Sequence, residues 1–63
     1  MPTEQVVVGY ETGDGTERTV TVAVDRTERD PDGTFRGYAD GTEVAEVPGA
    51  TFAVAAEQYG GGV

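Results

Sequence analysis

Apolar residues recur at every second position through two early stretches of the chain. Val6, Val8 and Tyr10 occupy even positions, and so do Val20, Val22 and Val24. A period of two is the mark of a strand with one face turned to a core. Between the stretches stands Asp14-Gly15-Thr16, and the same triplet returns as Asp32-Gly33-Thr34 and Asp40-Gly41-Thr42. Asp-Gly between alternating segments predicts a hairpin. A fourth turn is predicted at Val47-Pro48-Gly49-Ala50, where Pro followed by Gly fits a type II turn. The strands expected from these breaks run over 4–11, 17–29, 34–38, 43–47 and 50–57.

Pro31 before Asp32-Gly33 suggests a three-residue loop in which Pro presets φ and Gly takes the left-handed position of a bulge. Applied to all three triplets, that loop fixes the registers. Loop 13–15 sets Val8 opposite Val20, Val6 opposite Val22 and Tyr10 opposite Arg18. Loop 31–33 sets Glu28 opposite Arg36 and Arg26 opposite Tyr38. Loop 39–41 sets Phe35 opposite Ala45, and the Pro-Gly turn sets Ala45 opposite Phe52. Phe35, Ala45, Val47, Phe52 and Val54 then share one face.

The second strand must serve two faces, with Val20, Val22 and Val24 in its first half and Thr27 and Arg29 in its second. Such a strand needs a bulge or bend, expected near Val24–Arg26. A long bent strand lets a meander curl until the last strand approaches the first, which removes exposed edges. The expected fold is therefore all-β: a five-stranded antiparallel meander curling into a small barrel or roll with an SH3-like outline. The last segment is ambiguous. Phe52, Val54 and Ala56 alternate, yet Phe52, Ala55, Ala56 and Tyr59 also fit helical spacing, with Gly60 as a cap. Four strands plus a C-terminal helix at 50–59 is the alternative.

Composition strengthens the β reading. The chain of 63 residues has ten Val and seven Ala but no Leu, Ile or Trp. Val is β-branched and favours strands. One β-domain over 1–59 is expected, followed by a flexible Gly-rich tail at 60–63. So short a chain has a marginal core, and without Cys or His it has neither a disulfide nor a zinc site to brace it. No apolar run reaches the roughly 20 residues of a membrane helix, and the first residues lack the pattern of a signal peptide. A cytoplasmic protein is expected.

Charge adds an environment. Twelve carboxylates face four basic residues, all Arg, for a net charge of −8. That excess pushes a small body apart in dilute salt, whereas at molar salt the Debye length falls to about 3 Å. Acid excess, absence of Lys, short aliphatics and abundant Thr resemble the composition of small acidic haloarchaeal proteins. The resemblance covers the whole chain and implies a salty cytosol, not an activity.

The missing residue types exclude most catalytic chemistry. Without Ser, Cys, His or Lys the common nucleophile–base pairs cannot be assembled. There is no phosphate loop and no dinucleotide fingerprint. Carboxylate pairs can hydrolyse glycosides, but they need a cleft, which a domain this small rarely encloses. No enzyme, catalytic residue, cofactor or metal site is expected. Asp30-Pro31-Asp32-Gly33 contains a D-x-D-G fragment of a calcium loop, but Phe35, Arg36 and Gly37 follow where that loop should continue. The plainer reading is a turn whose Asp side chains bond their own backbone. Weak cation binding at the Asp-Gly turns is the residual possibility.

Two binding readings remain. Arg26, Arg29 and Arg36 cluster near Phe35 and Tyr38, which gives a candidate interaction surface of cations and stacking rings. The opposing reading is intrachain pairing, Glu28 with Arg36 and Arg26 stacked on Tyr38. The acidic charge disfavours nucleic acid, whose phosphates dominate affinity. By elimination the leading expectation is a protein-interaction module or small subunit acting at high salt. Its partner is another protein or its own copy at an exposed strand edge, in a monomer or weak homodimer. A terminal Gly-Gly suits a conjugated modifier, but Val63 follows the glycines and no central helix is visible in the sequence.

Overall fold

The computed structural model describes residues 2–59. The predicted tail at 60–63 lies outside them. Six strands and one short helix follow in order: β1 (Glu4–Glu11), β2 (Glu17–Val24), β3 (Arg26–Arg29), β4 (Phe35–Ala39), β5 (Thr42–Val47), β6 (Ala50–Ala55) and α1 (Ala56–Tyr59). They form two antiparallel sheets of three strands, ordered β2-β1-β6 and β3-β4-β5. This replaces the expected five-stranded meander. Among the described residues no ladder joins β5 to β6, so the strands do not close a barrel.

The first two hairpins have the expected registers, including Val8 opposite Val20 and Glu28 opposite Arg36. In each loop the left-handed residue is Gly, at φ 86° for Gly15 and 92° for Gly33. The Asp side chain of the loop accepts the N–H of the Thr two residues on, at 3.0 Å for Asp14 and 2.9 Å for Asp32. The bend in the long second strand falls on Asp25, between β2 and β3. The Asp25 N–H donates to the Tyr38 carbonyl at 2.8 Å, which carries pairing past the corner.

The third hairpin corrects the predicted register. Asp40 and Gly41 both have positive φ, 54° and 77°. They form a two-residue turn of the type that follows strand twist. Ala39 therefore faces Thr42, and Phe35 faces Val47 rather than Ala45. Two forces favour the shorter loop. Asp tolerates left-handed backbone, and the Asp40 N–H donates to the Asp25 carboxylate at 3.0 Å. A bulge beside Gly37 and Tyr38 restores the pairing, with Tyr38 opposite Glu43 and Gly37 opposite Ala45.

The Pro48-Gly49 turn exists, with Gly49 at φ 72°, but it does not make a hairpin. It hands the chain to the other sheet, where β6 pairs with β1. Ala45 and Phe52 are thus not partners. Both readings of residues 50–59 are correct in part: a strand to Ala55, then one helical turn.

Val6, Val8, Val24, Phe35, Val47 and Ala50 form the core between the sheets, with Tyr10, Val22 and Ala53 packed against it. Phe35 and Val8 are its fully buried members, at 1% and 0% exposure. Gly37 lets the sheets meet, since a Cβ there would lie 2.6 Å from a Val24 methyl. Phe52 and Val54 do not join this core. Phe52 faces Gly9 and Val54 faces Val7, which puts both on the outer side of the first sheet. The Phe52 ring occupies the space a Gly9 side chain would need, and Tyr59 stacks on it with ring centres 5.8 Å apart.

Candidate interaction surface

Strand alternation divides the five residues singled out from the sequence. Arg26, Arg36 and Tyr38 lie on the outer face of the second sheet. Phe35 points the other way and is buried, so it offers no stacking surface. The Arg29 guanidinium reaches the crossover corner and donates to the Ala50 carbonyl at 3.3 Å. The Ala50 N–H in turn donates to the Gly33 carbonyl at 3.2 Å. Arg29 is therefore a strap that ties the turn before β6 to the second sheet.

The two outer arginines are engaged within the chain. The Arg26 guanidinium lies 4.2 Å from the centre of the Tyr38 ring, as expected. It also pairs with Glu28 at 2.7 Å, and the Tyr38 hydroxyl donates to the same carboxylate at 3.3 Å. Arg36 contacts Asp30 at 2.9 Å, Glu43 at 3.2 Å and Glu46 at 3.4 Å. The expected Glu28–Arg36 ion pair gives way to these partners, although the two residues are cross-strand neighbours. The bulge in β5 makes the arrangement possible. Residues 43 and 46 of an unbroken strand point to opposite faces, whereas the extra residue brings both onto the Arg36 side.

Electrostatics follow from those contacts. Hydrogen bonds to Asp30 and Glu43 raise the Arg36 pKa further. Partial desolvation and the neighbouring Glu28 raise that of Tyr38. Two cations on this face meet four carboxylates, Glu28, Asp30, Glu43 and Glu46. The surface is net negative, the opposite of a phosphate-binding footprint.

The turn carboxylates are also occupied. The Thr12 hydroxyl and the Thr16 N–H hold Asp14 well below its ordinary value of 3.8, at about 2. The Thr34 N–H lowers that of Asp32. Among the described residues no group of three or more His, Cys, Asp or Glu is placed to hold a metal ion. A shallow depression of about 250 Å³ lies among Glu4, Gln5, Ala55, Ala56 and Glu57. Among the described residues its lining carries two carboxylates, Glu4 and Glu57, and no basic side chain. No helix among the described residues is long and apolar enough to cross a membrane.

A second surface is the free edge of β2. The Thr12 N–H donates to the Thr16 carbonyl at 2.9 Å, which makes this a hydrogen-bonded pair of the first hairpin. Antiparallel pairs alternate from there. Arg18, Val20 and Val22 direct their backbone groups to β1, while Glu17, Thr19, Thr21 and Ala23 direct theirs outward. All these residues except Val22 are exposed, and Val20 is an exposed large apolar residue at 37%. The expected closure of the meander would have covered this edge; with β6 paired to β1 and no closed barrel, it stays open. The signal for it was present in Thr19-Val20-Thr21-Val22-Ala23-Val24, a run of β-branched and small residues bounded by Arg18 and Asp25.

Comparison with protein-family models, curated proteins and solved structures finds no match to this chain.

Proposed function

We propose that this chain is a protein-interaction module working in concentrated salt, a binding protein rather than an enzyme. The observation that carries the reading is the edge of β2. It offers a row of outward N–H and C=O groups with no charge on Thr19, Thr21 or Ala23, and an extended segment can add to such a row by backbone pairing. The arginine face supports the same reading by contrast. Arg26 and Arg36 are held by carboxylates of their own chain, so recruiting an anionic polymer would first require breaking those pairs. The salt requirement rests on the net charge of −8 and the lack of Lys, since repulsion on so small a body fades as the Debye length shrinks.

The test is retention on the immobilised protein in molar KCl, compared with a Thr21→Pro variant. Proline at 21 removes an outward N–H and leaves the pairing with β1 intact. Loss of a bound protein with this variant is the expected result. Retention of RNA or DNA that survives Thr21→Pro and disappears with Arg36→Ala would overturn it.

A further inference from the structure

The edges of the two sheets are not guarded alike. Exposed edges are normally blunted by shortness, charge, bulges or proline. Strand β3 has only four residues, three of them charged. Strand β5 carries a bulge and two Glu, and Pro48 follows it. Strand β6 has an irregularity in its pairing with β1 at Gly9 and Tyr10, and it runs directly into α1. Strand β2 has none of these devices along most of its length. Its eight residues pair with β1 without a shift, and its charges, Glu17 and Arg18, sit together at one end.

We infer that two copies of this chain associate by antiparallel pairing of β2 with β2, centred on Val20. This rests on the interaction reading above and names the partner as a second copy. The residues around Val20 fit a two-fold axis. Centring there sets Thr19 opposite Thr21, Arg18 opposite Val22 and Glu17 opposite Ala23, with no like charges facing. The Thr–Thr pairs are favourable, and the hydrogen-bonded positions are the ones whose backbone groups point outward. Registers centred further along run out of strand: centring on Thr21 reaches Asp25 at the corner, and centring on Val22 reaches Arg26, which belongs to β3 of the second sheet. Centring on Thr19 instead sets Val22 opposite Thr16, which lies before β2 in the turn. The Val20 axis also bisects the stretch Glu17–Ala23, exposed except at Val22, and covers the exposed apolar side chain of Val20. Charge permits this: the rest of a body of net charge −8 repels its copy, while this edge is nearly neutral. The β6 edge is uncharged too, but its irregular pairing and its run into α1 make it the less regular of the two.

The pairing is weak. A seven-residue edge buries well under the roughly 1,600 Å² of a standard interface. Repulsion between the copies makes it salt-promoted, so the association constant should rise at least about tenfold between about 0.1 M and 1 M KCl as the Debye length falls from about 10 to 3 Å. Sedimentation equilibrium on the whole chain reads this directly. Thr21→Pro should sediment as a monomer while keeping its β circular dichroism. The chain has no native Cys, so single-cysteine variants give a clean second readout. Val20→Cys places the two thiols at a close, non-hydrogen-bonded pair suited to a disulfide. Under mild oxidation it should cross-link about tenfold faster than Val44→Cys, which lies on the bulge of the other sheet. A wild-type monomer at millimolar protein in molar KCl overturns the inference, and so does Val20→Cys cross-linking no faster than Val44→Cys. If a foreign protein is then still retained in a Thr21-dependent way, only the identity of the partner falls. If nothing is retained, the interaction reading falls with it.

Discussion

The two sheets have the same number of strands and are held by different forces. The first, β2-β1-β6, is built from Val, Thr and Ala and has apolar residues on both sides: the core within, and Val7, Phe52 and Val54 without. The second, β3-β4-β5, has an apolar inner side dominated by Phe35 and a charged outer side organised by Arg36. The first depends on burial, which molar salt does not screen. The second adds surface ion pairs, whose contribution is small and falls with salt. Molar salt should therefore relieve the repulsion of the whole body while loosening the second sheet.

Cutting the shared core should have the largest effect. Phe35→Ala removes the most buried large side chain, at a cost of about 3–5 kcal/mol. A domain of this size is stable by only roughly 3–9 kcal/mol, so the variant should lose a third or more of its stability and melt at a much lower temperature, as thermal melts by circular dichroism would report. A smaller effect separates the sheets through their glycines. Gly37→Ala drives a Cβ into Val24, which is 2% exposed and has nowhere to go, and should cost about 1–3 kcal/mol. Gly9→Ala meets the Phe52 ring, which is only half-buried and can swing outward. Urea titration should show Gly37→Ala to be the more damaging of the two. Equal losses would mean that the outer cluster is as rigid as the core.

Arg36→Ala should destabilise less, and more in dilute than in molar salt, because Asp30, Glu43 and Glu46 are left facing one another. A loss that does not change with KCl would remove the charge explanation. The smallest effect concerns acid. The folded-state pKa of Asp14, about 2, lies below its ordinary 3.8. Its contribution is therefore complete above about pH 4 and disappears as pH falls toward 2. Melting curves across that window should slope less for Asp14→Ala than for the wild type.

The comparison also explains what the sequence made legible. Two hairpins were readable because their turns are closed locally, by Asp14 on Thr16 and Asp32 on Thr34. The same triplet at 40–42 turned differently because its partner, the Asp25 carboxylate, lies 15 residues away. That single change of loop created the bulge, moved Phe35 opposite Val47, and brought Glu43 and Glu46 to Arg36. The face of Phe52 was unreadable for a similar reason. Alternation says that residues 52 and 54 share a side, but only the pairing with Gly9 and Val7 says which side. Of the five residues picked as a surface, the Arg26–Tyr38 contact was foreseeable from the hairpin register. The burial of Phe35 and the strap formed by Arg29 depended on the other sheet.

The return of β6 to β1 should also set the tempo of assembly. Two of its pairs, Val8 with Ala53 and Val6 with Ala55, join the ends of the described chain, whereas every other ladder links consecutive strands. Local hairpins form in about 1–10 μs, but closing so long a loop loses entropy before its contacts form. Docking of β6 should then be the slow step. Ala53→Gly should slow refolding, whereas Arg36→Ala should chiefly quicken unfolding, a division that stopped-flow kinetics would expose.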